Sequence, residues 1–229
     1  SAPGALLVGN NLNTNDISLR SLKFLNLAIN QTNRALLNIS SPPVATVKFT
    51  SCSFLDMDST LGTSRFVGTR SDPLNGSSAT GSFSFDRCAF STLLGGAANQ
   101  SQFLQLGGVG SSASFNNCTV ALNTNFSDVA NFPPGALTFK GSIFWSRITS
   151  VAGVTGVLGS NNLFYNFSDI TNTTSLLVSS IADPQFVGAS TGNFKLRPTS
   201  PGIGASLGTS APSGVIYVFN GTQTGSPAG

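Results

Sequence analysis

The stretch that decides the fold of this chain is Ala113-Ser-Phe-Asn-Asn-Cys-Thr-Val120, because related stretches recur along the sequence. Its pattern is apolar-x-apolar, then two polar residues, then apolar-x-apolar. The other copies are Ile17-Ser-Leu-Arg-Ser-Leu-Lys-Phe24, Val47-Lys-Phe-Thr-Ser-Cys-Ser-Phe54, Phe83-Ser-Phe-Asp-Arg-Cys-Ala-Phe90, Leu137-Thr-Phe-Lys-Gly-Ser-Ile-Phe144 and, more weakly, Val157-Leu-Gly-Ser-Asn-Asn-Leu-Phe164. Repetition of one short pattern predicts a repeated unit of structure.

Each half of this motif alternates with period two, as a strand with one inward face does. The polar pair shifts the alternation by one residue, so a straight strand would turn its second half outward. A bend at the pair keeps both halves on the same interior, and Asn, Asp, Ser and Gly tolerate the backbone geometry of a bend. The motif therefore predicts two short strands joined by a tight corner.

The composition favours strands and turns over helices. Charged residues make up only 8% of the 229 residues, and the chain has no Glu and no His. Helix surfaces are normally built from Glu, Lys, Arg and Ala, so the material for amphipathic helices is scarce. We predict a single all-β domain, for which this length is ordinary.

Charge and hydropathy argue against two classes of partner. The net charge of +3 comes from Lys and Arg spread singly along the chain, so we expect no nucleic-acid binding. No run of about eighteen apolar residues is present, so we expect no membrane span. No signal peptide is visible at Ser1, which fits a mature product or a fragment.

The spacing of the motifs indicates stacked units. Their last apolar residues follow one another at 20 to 36 residues, and the apolar stretches Arg34–Ile39, Arg65–Thr69 and Gln102–Leu106 each precede a motif by one loop. Three strands per repeat describe a coil with three faces, in which each turn pairs in parallel with the next at about 4.8 Å. A β-sandwich is the alternative, although it gives turn signals every 8–12 residues or so without this longer self-similarity. In the coil, the last apolar residues stack inside as a ladder: Phe24, Phe54, Phe90, Val120, Phe144 and Phe164.

These patterns divide the chain into three parts. Residues 1–16 are a lead-in or first partial rung, in which Ala5-Leu-Leu-Val8 is a candidate strand, and residues 17–208 are the coil. Residues 209–229 are a C-terminal strand and tail. We expect the strand Gly214-Val-Ile-Tyr-Val-Phe219, apolar on both faces, to lie against the coil or to pair with another subunit.

The bent motif with its Asn-Asn-Cys-Thr-Val resembles the rungs of right-handed parallel β-helices of the pectin-lyase-like family. The stretches Asp183-Pro-Gln-Phe-Val187, Gly192-Asn-Phe-Lys-Leu196 and Ser200-Pro-Gly-Ile203 are similar to the closing rung of surface proteins of that group. The chain departs from them at Gly202, Gly204 and Ser206, where members more often carry Ala, Asp and Gly. The resemblance implies a right-handed single-stranded parallel β-helix of about six or seven rungs in a secreted setting, and no single activity.

Enzymes of this family cut acidic polysaccharides, with paired carboxylates or with Ca²⁺ held by several acids. The acids of this chain lie far apart in the repeat, except Asp56 and Asp58, which follow Phe54 at a corner. This pair is a weak candidate Ca²⁺ site, and the alternative is two solvated turn residues. Asp86 and Asp183 are read as structural. Without His there is no Ser-His-Asp arrangement, so we expect no catalytic residue and no cofactor.

Cysteines occupy one position of three successive motifs, as Cys52, Cys88 and Cys118. Stacked in one inward column, their Cα atoms would be about 5 Å apart, which allows one disulfide at most. We favour a ladder of buried thiols, because stacked side chains point alike and not at each other. Three Cys without His or a fourth Cys do not make a zinc site.

Acceptor triplets for N-glycosylation are frequent, and sugars at outward corners would replace the missing charge as a solubilising coat. The alternative is that Asn is simply a favourable corner residue. The candidates are Asn30, Asn38, Asn75, Asn99, Asn117, Asn125, Asn166, Asn172 and Asn220.

Two aromatic residues form a candidate sugar platform. Trp145 and Tyr165 follow Phe144 and Phe164, so alternation turns both outward on neighbouring rungs. The alternative is that they shield an apolar loop such as Val151–Val157. The sequence thus predicts a non-catalytic, glycosylated extracellular structural protein at a cell surface or in a sheath, appendage or filament, assembling with itself or with other extracellular proteins. A polysaccharide-binding or polysaccharide-degrading β-helix protein is the alternative.

Overall fold

The structure is a computed structural model that describes residues 7–9, 17–25, 28–29, 35–39, 45–55, 58–59, 65–69, 81–92, 102–106, 110–123, 126, 136–151, 158–160, 162–168, 183–188, 193–200, 215–218 and 222–225. These residues form 22 β-strands and no helix. The all-β prediction is confirmed for this part of the chain. Accordingly, none of it is a long apolar helix of the kind that crosses a membrane.

Most of the described strands belong to three parallel sheets. The first sheet contains β1 (Leu7–Gly9), β5 (Ala35–Ile39), β9 (Arg65–Thr69) and β12 (Gln102–Leu106). The second sheet contains β2 (Ile17–Arg20), β6 (Ala45–Thr50), β10 (Gly81–Asp86), β13 (Ser112–Asn116), β15 (Leu137–Lys140) and β17 (Leu158–Ser160). The third sheet contains β3 (Lys23–Leu25), β7 (Ser53–Leu55), β11 (Ala89–Ser91), β14 (Thr119–Leu122), β16 (Ile143–Val151) and β18 (Leu163–Ser168).

Three short pairs complete the set. β4 (Ala28–Ile29) pairs in parallel with β8 (Asp58–Ser59), whereas β19 (Phe186–Gly188) pairs antiparallel with β20 (Asn193–Leu196). β21 (Val215–Val218) pairs antiparallel with β22 (Thr222–Gly225).

Strand order within each of the three sheets follows the order of the chain. Each return of the chain to a sheet therefore adds one strand beside the previous one, in parallel. The strands predicted ahead of the motifs form the first sheet with β1. Parallel pairing excludes the sandwich alternative for these segments, because sandwiches of short strands are antiparallel.

A left-handed residue makes the corner between the second and third sheets. The second member of the polar pair has positive φ in five repeats: Ser21 (54°), Ser51 (54°), Arg87 (53°), Asn117 (52°) and Gly141 (59°). The N–H group of this residue donates to the carbonyl of the first polar residue in the next repeat, as from Ser51 to Asp86 at 2.9 Å. The predicted corner is confirmed, although Arg87 shows that a large side chain is tolerated there.

The interior is a ladder of aromatic rings. Register pairs Phe24 with Phe54, Phe54 with Phe90, Phe90 with Val120, Val120 with Phe144 and Phe144 with Phe164. The stacked rings have centroid distances of 4.9 Å for Phe24 and Phe54, 5.0 Å for Phe54 and Phe90, and 4.8 Å for Phe144 and Phe164. The predicted ladder, with its break at Val120, is confirmed. Phe49, Phe85, Phe115 and Phe139 pack against it from the second sheet.

The stretch that resembles a closing rung has a different arrangement. β19 and β20 pair with each other, antiparallel, and neither joins the three parallel sheets. Phe186 and Phe194 of this hairpin pack on the outward face of the third sheet, against Ala89, Ala121 and Trp145. The prediction of a closing rung is therefore replaced here by a hairpin docked on one face. The outward positions of the third sheet are apolar because this hairpin covers them.

The C-terminal strand predicted over residues 214–219 corresponds to β21. Its partner is β22, the strand that directly follows it, and it lies beside β20. Packing of this strand on the coil and its pairing with another subunit, the two arrangements predicted for it, both stay predictions.

Candidate functional site

Two aromatic side chains face outward from neighbouring strands of the third sheet. Trp145 in β16 is in register with Tyr165 in β18, because each directly follows a member of the inward ladder. Their ring centroids are 6.5 Å apart and the ring planes differ by 14°. The structure thus brings the predicted pair together as two nearly parallel, stacked rings, and both side chains are half-buried.

The docked hairpin borders this aromatic pair. The Phe186 ring lies 6.2 Å from the Trp145 ring at an interplanar angle of 67°, and Phe194 packs edge-on against Phe186 at 5.2 Å. Val187, the next residue of the hairpin, is 45% exposed. Apolar residues of the hairpin therefore border the aromatic pair on the side of Trp145. Residues 152–157, the loop that these rings would shield in the alternative interpretation, lie outside the described residues.

The three cysteines are buried and free, each immediately after a left-handed corner residue. The Cys88 thiol lies 3.4 Å from the carbonyl oxygens of Phe49 and Asp86, and the Cys118 thiol lies 3.4 Å from that of Phe85. Each contact between repeats reaches back to the carbonyl of the last inward residue in the preceding strand of the second sheet. The thiols therefore act as weak hydrogen-bond donors.

Their environment keeps two of these thiols protonated. A side-chain hydrogen bond with Cys88, together with burial, raises the pKa of the Cys52 thiol well above its ordinary value. Burial, followed by a hydrogen bond with Cys118, raises the pKa of Cys88 in the same direction. A protonated thiol is a poor nucleophile and a poor metal ligand. This arrangement suits structural cysteines.

Two residues extend the thiol column and were missed at the level of sequence. Ser142 and Asn162 occupy the motif position of the cysteines in the next two repeats, and both are buried. The Ser142 hydroxyl donates to the Phe115 carbonyl at 3.0 Å and accepts from the Cys118 N–H at 3.0 Å. The Asn162 side chain donates to the Phe139 carbonyl and accepts from the Ser142 N–H, both at 2.9 Å. Their shared motif position was the signal that could have identified them.

Two acidic residues, Asp86 and Asp183, have structural partners. The Asp86 carboxylate accepts a hydrogen bond from Arg87 at 2.9 Å at an exposed corner. Asp183 accepts from the N–H of Gln185 at 2.9 Å, which closes the turn before β19. Of the candidate Ca²⁺ pair, Asp58 is part of β8, whereas Asp56 lies outside the described residues. No group of three or more potential metal-ligating side chains converges within the described part of the chain.

Two of the nine candidate glycosylation sites have described side chains, and both have positive φ. Asn166 is exposed, and its amide nitrogen donates to the Ser146 carbonyl at 3.0 Å. Asn117 is half-buried at a corner, directly before the buried Cys118 and Thr119. The backbone of Asn38 belongs to β5. Six candidates lie outside the described residues: Asn30, Asn75, Asn99, Asn125, Asn172 and Asn220.

The chain matches no protein-family model, and no curated protein is significantly similar to it.

Proposed function

We propose that the chain is a right-handed single-stranded parallel β-helix of about six or seven rungs that serves as a non-catalytic structural component of an extracellular assembly. The observation that carries the proposal is the agreement of strand order with chain order in three parallel sheets. A chain that visits three faces in turn and always pairs with its previous visit winds as a coil. Right-handed winding is favoured because parallel crossover connections are right-handed in nearly all sheets.

A structural role is supported by what the described polar groups do. The thiols and the Ser142 hydroxyl contact corner carbonyls, and Asp86 and Asp183 are engaged in local contacts at turns. Several outward residues of the second sheet are short and polar, such as Ser82, whose hydroxyl lies 2.8 Å from that of Ser112 on the next strand. Polar side chains that form hydrogen bonds between repeats favour a structural role over a catalytic one.

An extracellular setting is supported by the triplet at Asn166, whose side chain is exposed. In material from the native source, treatment with an amidase that removes N-glycans should lower the apparent mass, and Asn166→Gln should remove one glycan. An unchanged mass in both comparisons would contradict the glycoprotein part of the proposal.

Electron microscopy of the native material tests the structural role directly. We expect filaments, sheaths or surface arrays in which the chain is a regular component. Incubation with pectic and alginate-type polymers in the presence of Ca²⁺ is the matching test for catalysis. Release of unsaturated or reducing ends would overturn the non-catalytic proposal in favour of a polysaccharide lyase or hydrolase.

Polysaccharide binding is a second candidate function, favoured by the outward-facing pair of Trp145 and Tyr165. Sugar rings pack on aromatic faces, and these two stacked, half-buried rings, with centroids 6.5 Å apart, leave part of their aromatic surface accessible to a sugar. On a glycan array we expect retention that is lost in Trp145→Ala and Tyr165→Ala and kept in Val187→Ala. Absence of retention on every polysaccharide would dispose of this candidate.

A further inference from the structure

The two ends of the stacked sheets are not equivalent. At the β18 end, Asn162, Leu163 and Phe164 are at most 3% exposed. At the β2 end, Leu22 is 40% exposed, whereas Cys52, at the same motif position one repeat later, is 1% exposed. The inward residues of this end repeat are likewise only half-buried: Ile17, Leu19 and Phe24. Their partners on the next strands are at most 1% exposed: Val47, Phe49 and Phe54. The inward apolar columns are therefore closed at one end and accessible at the other.

This accessible end is also a backbone edge. β2 and β3 are the terminal strands of the second and third sheets among the described residues. An edge strand presents unpaired N–H and C=O groups, which a further extended strand can pair with. Inward and outward side chains alternate along each half of this edge, and the corner at Ser21 shifts the alternation by one residue. An added strand must therefore carry the same shift.

The positive charge of this end repeat indicates which side chains the added strand carries. The outward side chains of this end repeat include Arg20 and Lys23, both exposed, on either side of the corner. A second copy presenting the same end would bring like charges face to face, which is unfavourable between paired strands. A second copy presenting its β18 end would offer apolar residues that are already covered. Acidic side chains opposite Arg20 and Lys23 are favourable.

We propose that the end repeat of β2 and β3 is a docking site for a bent extended strand of a partner protein, which repeats the corner of the motif, carries apolar residues at its inward positions and carries acidic residues opposite Arg20 and Lys23. The apolar side chains of that strand cover Ile17, Leu19 and Phe24, and its carboxylates pair with Arg20 and Lys23. The proposal rests on the structural role proposed above and names the chemistry of the assembly partner.

The test uses the full chain and a synthetic, fluorescently labelled peptide that follows the bent motif, Val-Ser-Val-Asp-Gly-Val-Asp-Val, with its Asp residues opposite Arg20 and Lys23. We expect the peptide to bind and to protect backbone amides of residues 17–25 from hydrogen exchange. The double variant Arg20→Glu with Lys23→Glu should weaken binding by about tenfold, because two exposed ion pairs become repulsions. The same peptide with Lys in place of both Asp residues should not bind.

Lys140→Glu is the matched control, because Lys140 is an exposed residue at the same corner position as Arg20, far along the second sheet. It should leave peptide affinity unchanged, and circular dichroism should show that all variants fold. Equal binding of both peptides, or unchanged binding by the double variant, would overturn the proposal.

Basic residues also guard edge strands against aggregation, and a neutral double variant distinguishes the two roles. One pair of results would reject the docking site: self-association of the Arg20→Ser, Lys23→Ser variant in sedimentation experiments, and no binding of the acidic peptide by the wild-type chain. Arg20 and Lys23 would then serve to prevent aggregation through the edge strands. Electron microscopy reports separately on the structural role. Peptide binding without ordered native material would leave this inference standing while the proposed function fails.

Discussion

The Ser142 hydroxyl makes two hydrogen bonds to the backbone of the neighbouring repeat. The two backbone groups are the Phe115 carbonyl and the Cys118 N–H, both at 3.0 Å. A side chain at this position compensates for the corner, where the strands bend and the regular ladder is interrupted. The cysteines do the same with weaker donors.

Ser142→Ala should therefore destabilise the protein by about 1–3 kcal/mol, because it leaves buried backbone groups without a partner. Ser142→Cys should cost less, since a thiol already fills this position in earlier repeats. Equilibrium unfolding in guanidinium measures both. Ser114→Ala, at a half-buried outward position, is the control and should stay within about 0.5 kcal/mol of the wild type. Equal effects of Ser142→Ala and Ser114→Ala would contradict the proposed role of the corner hydroxyl.

The buried Cys88 thiol makes stability depend on alkaline pH. Its pKa in the folded protein is raised above the ordinary thiol value of about 8.5. Below that pH the thiol is protonated in both the folded and the unfolded protein, so its full contribution to stability is present. Above it the unfolded chain releases the proton while the folded protein keeps it, so the free energy of unfolding falls, by up to about 1.4 kcal/mol per pH unit.

Urea unfolding at pH 8 and at pH 10 measures this slope. Cys88→Ser should flatten it, and Ser114→Ala should leave it unchanged. A slope as steep in Cys88→Ser as in the wild type would show that other groups cause it.

At the scale of elements, the aromatic ladder holds the second and third sheets on one core. Phe54 is fully buried and stacks between Phe24 and Phe90, whereas Phe24 is half-buried and stacks on Phe54 from the accessible end. Phe54→Ala should cost about 3–5 kcal/mol through lost burial and the cavity left behind. Phe24→Ala should cost clearly less, because water already reaches part of its ring. Similar losses in the two unfolding curves would contradict an open end at β2 and β3.

The docked hairpin is a separate element with a built-in reporter, since Trp145 is the single tryptophan of the chain. Phe194 is buried and supports Phe186, which contacts Trp145. Phe194→Ala should loosen the hairpin, so that Trp145 emission moves to longer wavelength and amides of residues 186–188 and 193–196 exchange faster. Amides of β10 and β13 should keep their protection.

Val187→Ala, at an exposed position of the same hairpin, is the control for that measurement. It should change neither the emission of Trp145 nor the exchange of the hairpin amides. Emission unaltered by Phe194→Ala would mean that the hairpin does not depend on its buried ring.

At the scale of the whole molecule, the repeats should behave as interchangeable units. Ser82 pairs with Ser112, so residues 82–111 make up one complete repeat. Inserting a second copy of them after Ser111 should give a folded protein that is longer by about one strand spacing, 4.8 Å. The free energy of unfolding of this longer protein should fall more steeply with denaturant concentration, because unfolding exposes more surface.

Small-angle X-ray scattering and guanidinium unfolding test this extension. In the control insertion the copy lacks Ser84, which reverses the alternation of its first strand and turns a phenylalanine outward. That control should aggregate or unfold early. If both insertions behaved alike, the coil proposed for this chain would lose its main support.

The sequence alone determined the local part of this architecture. Alternation in each half-motif and the polar pair between halves predicted the corners at Ser21, Ser51, Arg87, Asn117 and Gly141, and the order of the ladder with Val120 in it. Such features depend on residues a few positions apart, whose side-chain direction follows from strand geometry. The aromatic pair of Trp145 and Tyr165 was predicted for the same reason.

Tertiary structure alone decided what covers each face and each end. Phe186 and Phe194 have the alternation of a further strand, yet they dock on the outward face of the third sheet, since that face offers apolar surface to bury. The donor role of Ser142 and the accessible end at Leu22 likewise depend on which groups neighbouring repeats leave without a partner. Alternation specifies which way a side chain points, but burial is settled by segments distant in the chain, so no local pattern encodes it.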